Sequence, residues 1–262
     1  MTSGKCALTL KHGSFVESHL IPRALTQPIS KGVGFMQLSE QAKPKRRWSS
    51  WYDNRLVTRE GEDILADLDG WAIKYLRTKK LVWSGFGPLQ ELTDDDRKLL
   101  GSQYGVRSVG VENPDRLRLF FLSLLWRAAA SKLPEFQPIA VLPADLETMR
   151  VALTTNSVPP INFYPVSLTQ FHTVGHQHNQ SPTADTKILP AFDDEPQSEV
   201  PIFRFYFDGL ITHFHNTPND PNAAELGPLV VGNGNTITVS TMPFGISRQR
   251  ENLIAFLSST GV

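Results

Sequence analysis

A chain of 262 residues, 40% hydrophobic and 20% charged, is long enough for one large domain or two small ones and has an ordinary globular composition. No run approaches the ~18 apolar residues of a membrane span, the start lacks the apolar core of a secretion signal, and a single Cys excludes an internal disulfide and a four-thiolate zinc site; the expected compartment is the cytoplasm. Net charge is zero, yet residues 1–60 hold ten Lys/Arg against four Asp/Glu, a surplus that fits either a polyanion or the acidic remainder of the same chain.

In chain order, residues 5–9 and 14–17 predict two short strands around the tight turn Lys11-His12-Gly13. A loop punctuated by Pro28, Gly32, Gly34 and Pro44 follows, then the basic and aromatic stretch 43–58. Residues 60–79 carry Ile64, Leu65, Leu68, Trp71, Ala72, Tyr75 and Leu76 at helical period, with acids early and bases late as the dipole prefers. Asn113-Pro114-Asp115 is a helix start, and Leu117, Phe120, Phe121, Leu124, Leu125 and Ala128 give that helix a broad apolar stripe. A third helix is expected over 143–153 and a last one over 247–259. The polar segment 172–200 predicts a long loop. Residues 200–216 predict a hairpin turning at Asp208-Gly209, with Ile202, Arg204 and Tyr206 on one face and Phe203, Phe205 and Phe207 on the other; 229–242 predict a second around Gly232-Asn233-Gly234-Asn235. The fold class is α+β, with helices mainly before residue 160, an antiparallel β region after it and a C-terminal helix. A division at 1–105 and 106–262, or one continuous domain, fits this order.

The stretch Cys6…Ser18-His19-Leu20-Ile21-Pro22 resembles a group of bacterial HNH-like proteins, which open with a Cys-x-x-Cys knuckle and a Ser-His-Ile-Ile-Pro phrase. They carry a second Cys-x-x-Cys-Glu at a helix start, which falls here on Thr58-Arg59-Glu60-Gly61-Glu62, and a Ser-x-x-Trp-Arg helix, similar to Ser123–Arg127. The resemblance covers roughly the first half of the chain and implies a treble-clef-like domain. Of its thiolate positions only Cys6 remains; Thr9, Thr58 and Gly61 offer no useful zinc ligand, so no structural zinc is expected. Replacement packing is expected from Trp48, Trp51, Tyr52, Trp71 and Trp83.

The resemblance also implies chemistry. His19 would be the general base, with Asn54, and Asp53 or His12 in support, near one Mg²⁺; His19 and Asn54 are also the candidate metal ligands. The alternative is that Ser18-His19 only ties a turn. Lys43, Lys45, Arg46 and Arg47 leading into Trp48, Trp51 and Tyr52, extended by Arg23 and Arg55, suit phosphate contact and base stacking on DNA or RNA, or else a solvated loop whose aromatics turn inward. His213 and His215, two apart on a strand, could share a metal; His172, His176 and His178 are a polar cluster. The expected function is a nucleic-acid-binding protein with a divergent HNH-like domain, extending to metal-dependent nuclease activity. The alternative is a non-enzymatic assembly protein, as a homo-oligomer or with a protein partner, built on a retired nuclease fold.

Overall fold

The computed structural model describes residues 2–27, 34–40, 42–101, 103–189, 198–217 and 223–259. Strand β1 (Ser3–Lys5) pairs with β2 (His12–Ser14), and the expected strand over 5–9 is a turn instead. Cys6 N–H donates to Lys11 O, Leu10 N–H donates to Cys6 O, and Leu10 takes a left-handed conformation at φ 60°. Strand β3 (Ser18–His19) precedes the single-turn helix α1 (Arg23–Thr26). Strands β4 (Phe35–Ser39) and β5 (Ala42–Arg47) form a hairpin where a loop was expected, of which Pro28 and Gly32 lie outside the described residues. Phe35 and Leu38 are buried, which draws β4 inward, while Pro44 sits on an edge strand where its missing donor is tolerated. Strand β6 (Tyr52–Asp53) pairs back onto β3 and leads into helix α2 (Arg59–Thr78).

The remaining strands are β7 (Lys98–Leu100), β8 (Tyr104–Gly110), β9 (Val166–Phe171), β10 (His178–Leu189), β11 (Ser198–Phe207), β12 (Leu210–His215) and β13 (Thr236–Met242). They join β4 and β5 in one nine-stranded sheet of order β5-β4-β10-β11-β12-β9-β13-β8-β7. The sheet is mixed rather than antiparallel, because β4–β10 and β9–β13 run parallel. Much of the expected loop 172–200 is β10; residues 190–197 lie outside the described residues. Its polar side chains disguised a buried strand because they are satisfied inside: Asn179 Nδ2 donates to Thr26 O at 2.8 Å, and Gln180 Oε1 accepts from Gln249 Nε2 at 2.7 Å. The second expected hairpin does not form either. Only β13 is a strand, and it pairs with β8 across more than a hundred residues.

Three further helices, α3 (Pro114–Ala130), α4 (Pro143–Thr155) and α5 (Arg248–Ser259), complete the fold. Asn113 caps α3 by accepting from Arg116 N–H at 2.9 Å, and the whole run Leu117–Ala128 is buried. Phe203, Phe205 and Phe207 face α2, α3 and α4 from one side of the sheet; each such side chain contributes ~1.5–3 kcal/mol by leaving water. On the other face Phe171, Tyr206 and Ile211 pack with Trp83, Phe244 and Leu253 of α5. Strands from both sides of residue 105 enter the sheet, and a single buried cluster runs from Cys6 to Val239. No described helix is long and apolar enough to cross a membrane.

Candidate functional site

The four knuckle positions converge around a sulfur. Cys6 Sγ accepts the backbone N–H of Thr9 and of Thr58, each at 3.4 Å, and a Cβ added to Gly61 would lie 2.8 Å from it. Gly61 is therefore a close-approach glycine, where any side chain must push the thiol or Val57 aside. Burial raises the Cys6 thiol pKa, but the Thr9 and Thr58 hydrogen bonds outweigh it and hold the pKa below its ordinary value. The five aromatics expected to supply replacement packing do not cluster. Trp51 meets Phe136 edge-on, Trp71 stacks on Tyr75, Trp83 lies in the second core, and Trp48 and Tyr52 are exposed.

His19, at the end of β3, is half-buried. Its Nε2 lies 3.3 Å from Ser49 Oγ and 3.9 Å from Glu17 Oε1. Burial, opposed by Glu17 and reinforced by Arg23 and Arg127, lowers its pKa, so the ring is neutral at pH 7 and able to accept a proton. Its backbone is clamped from α3. Arg127 donates Nη1 to His19 O at 3.1 Å, pairs both Nη atoms with Asp69 at 2.9 and 2.7 Å, and closes on Ser123 through Oγ at 2.9 Å and O at 3.2 Å. Every N–H of the guanidinium is thus used. Beside it, burial raises the Glu62 pKa, opposed by the facing Ser18 hydroxyl and by Arg127, and both Ser18 Oγ and Glu62 Oε2 are buried without a well-aligned partner. Sequence reasoning named neither Asp69 nor Arg127 as a site residue. The Ser-x-x-Trp-Arg spacing was the available signal, since positions four apart put Ser123 and Arg127 on one helix face.

The residues expected to hold Mg²⁺ are not assembled for it. Asp53 sits opposite Ser18, but Oδ1 accepts Arg55 N–H at 2.8 Å and Oδ2 accepts the Ser131 hydroxyl at 2.9 Å. Asn54 is exposed, the hydrogen-bond partner of the His19 ring is Ser49 instead, and His12 is exposed on β2. Among the described residues no three His, Cys, Asp or Glu side chains stand together as a metal site. His213 and His215 do share a sheet face, opposite Arg204 and Ile202, and burial first, then Lys187 and Arg204, push His213 down to about 3. No carboxylate or thiol among the described residues completes a metal site with them. In the other histidine cluster, His178 is buried and stacked on Tyr206; Nδ1 donates to His176 O and Nε2 accepts from Gln249, and burial lowers its pKa to about 4.

The basic segment lies on β5, at the sheet edge. Lys43, Lys45, Arg46, Arg47 and Trp48 are all exposed, with the Arg46 guanidinium 5.9 Å from the Trp48 ring centre. Arg23 is exposed at the start of α1. Trp51 is the exception, being 5% exposed with its ring against Phe136, so it offers no face for a base. By contrast, a hollow of about 840 Å³ between α2, α3 and α4 is lined by Glu60, Asp63, Asp67 and Asp115 against the single cation Arg116 among the described residues. Comparison with known proteins finds no matching family model, no matching curated relative and no matching solved structure. The class that fold and site define is accordingly structural: an α+β protein with a mixed sheet and a clamped, neutral histidine at the end of a two-stranded ribbon.

Proposed function

We propose that the amino-terminal region is a zinc-less, HNH-like module of treble-clef type that holds nucleic acid along the basic edge strand β5. The observation that carries the binding role is the row of outward Lys43, Lys45, Arg46, Arg47 and Trp48 on one exposed edge. Phosphates meet the cations, and the Arg46–Trp48 pair offers a flat cationic face to an unstacked base. The domain type is supported by the meeting of Cys6, Thr9, Thr58 and Gly61 beneath α2, the geometry that paired knuckles would have. His19 keeps the neutral ring a general base needs, while the two hydrogen bonds on Asp53 leave binding better supported than cutting.

Mobility-shift titrations across salt concentrations test this. Each phosphate contact contributes a slope of roughly −0.7 in log K against log salt for single strands and −0.9 for duplex. The Lys45→Glu, Arg46→Glu, Arg47→Glu variant should flatten that slope and lose most affinity, and Trp48→Ala should cost ~1–3 kcal/mol on single strands. Absent or salt-independent binding would refute the reading. Mg²⁺-dependent plasmid nicking that disappears in His19→Ala would restore the nuclease reading. An assembly protein has support of its own: Leu99, Leu100 and Tyr104 are exposed at the opposite edge of the sheet. A monomer at micromolar concentration in sedimentation, with no co-purifying partner, would remove that reading.

A further inference from the structure

Away from His19, the face of the sheet beneath α5 carries a largely buried arginine. Arg204, on β11, is 7% exposed and flanked by Thr183 on β10 and His213 on β12. Among the described residues its guanidinium makes no hydrogen bond and no ion pair within 4 Å. Such a group normally has acceptors: Arg127 uses every N–H, and both Nη atoms of Arg118 donate to the carbonyls of Pro159, Pro160 and Phe163. Burial, reinforced by Arg248 and opposed by Asp185 and Tyr206, lowers the Arg204 pKa to about 10.

Arg204 forms a shared wall of two adjoining hollows of about 270 and 410 Å³. The smaller adds Lys187, half-buried with no anionic partner among the described residues, and apolar floor from Ile202, Ile211 and Met242. His213 Nδ1 is buried without a partner in the same wall. Ser247 and the start of α5, Arg248 and Gln249, close one side with the positive dipole end of that helix. Among the described residues the one carboxylate lining the smaller hollow is Asp185, held by Arg248 at 2.8 Å. Glu40 lines the larger one. Among the described residues, three cations therefore face one carboxylate around an apolar floor.

We propose that this hollow binds a small amphiphilic anion, its carboxylate or phosphate head received by Arg204 with Lys187 and the His213 imidazole, its short apolar body lying on Ile202, Ile211 and Met242. A guanidinium fork matches either oxyanion in a bidentate mode, which a lysine cannot copy. The site is independent of β5 and of the nucleic-acid reading.

Thermal shift and calorimetry on the full chain test it, using hexanoate, hexyl phosphate and inorganic phosphate as probes, with hexanol and hexyltrimethylammonium as controls at matched ionic strength. One or both hexyl anions should raise Tm and bind with measurable heat, the controls should not, and whichever head binds tighter names the class. Inorganic phosphate should bind at least ten-fold more weakly than the better hexyl anion, because it gains nothing from the floor. Arg204→Met should weaken binding at least ten-fold while the ligand-free protein stays folded or becomes more stable, since a charge lacking a partner has been removed from the interior. Arg204→Lys should recover only part of the affinity. Equal shifts from hexanol and hexanoate, no anion binding at all, or undiminished binding in Arg204→Met would each overturn the proposal.

Discussion

Replacing Asp69 by Ala is the sharpest probe of how this molecule holds its histidine. Arg127 has a side chain only 2% exposed and Asp69 one 16% exposed, so the substitution strands a guanidinium that water cannot reach. Two of its donors lose acceptors, while the bonds to His19 O and Ser123 remain. Breaking one side of a buried pair costs ~3–5 kcal/mol, or roughly a 10 °C fall in Tm for a chain of this size. Asp67→Ala is the internal control. It also removes an arginine partner, at 2.5 Å from Arg116, but Asp67 is 74% exposed, so its pair is worth about 0–1 kcal/mol. Equilibrium urea unfolding reads both, with a lowered midpoint and unchanged slope expected for Asp69→Ala. The double variant Asp69→Leu, Arg127→Met should regain much of the loss, because the cost lies in the orphaned charge and not in the missing bond. Equal, small shifts for Asp67→Ala and Asp69→Ala would refute the argument that the clamp is buried and saturated.

Gly61→Ala should destabilise by about 1–3 kcal/mol, since its Cβ meets Cys6 Sγ at 2.8 Å and Val57 Cβ at 3.1 Å, and Cys6→Ala in the same chain should relieve part of that in a double-mutant cycle. The triple variant Thr9→Cys, Thr58→Cys, Gly61→Cys should bind one equivalent of Zn²⁺, seen as a tetrahedral thiolate spectrum with Co²⁺; failure to bind would count against the treble-clef reading. Stability against pH carries two opposed contributions. Burial raises Asp208 to about 7 from its ordinary 3.8, so its contribution is complete below pH 3.8 and is lost as pH rises through about 7. Asp208→Asn, which tolerates the φ of 50° there, should therefore gain most over the parent at pH 8 and least at pH 4 in denaturant titrations. His178 acts the other way, since its pKa is lowered to about 4 from 6.5: stability present above pH 6.5 is lost as pH falls through about 4, and His178→Gln should flatten that limb.

Helices α2 and α3 were legible because their apolar residues repeat at helical period and their ends carry caps and matching charges. The β11–β12 hairpin was legible because Asp208 and Gly209 are residue types that accept positive φ, 50° and 79° here, and because any side chain on Gly209 would run into Trp83. Strands β4, β5 and β10 were not. The β4–β5 hairpin joins the sheet only through the distant strand β10, and the buried polar side chains of β10 look like solvent-facing ones until Thr26 and Gln249 arrive to satisfy them. The same distance hid the clamp. Serine at 123 and arginine at 127 announce a shared helix face, but nothing in local spacing says that Asp69 and the carbonyl of residue 19 meet them. Arg204 was hidden by ordinary alternation, for a charged residue every second place usually means water, and here it means the underside of α5.

Strand β5 has a consequence for edge-to-edge association between copies of this chain. It is the last strand on its side of the sheet, and an outer strand offers its free N–H and C=O groups to any passing chain. Pro44 removes one donor, and Lys43, Lys45, Arg46 and Arg47 place like charge where a second copy would have to dock. Trimming those cations to alanine would therefore open a route to sheet-on-sheet aggregation as well as weaken any hold on phosphate. Reversing them to glutamate keeps two such edges repelling each other while turning phosphate away, so aggregation and nucleic-acid affinity can be separated on one strand.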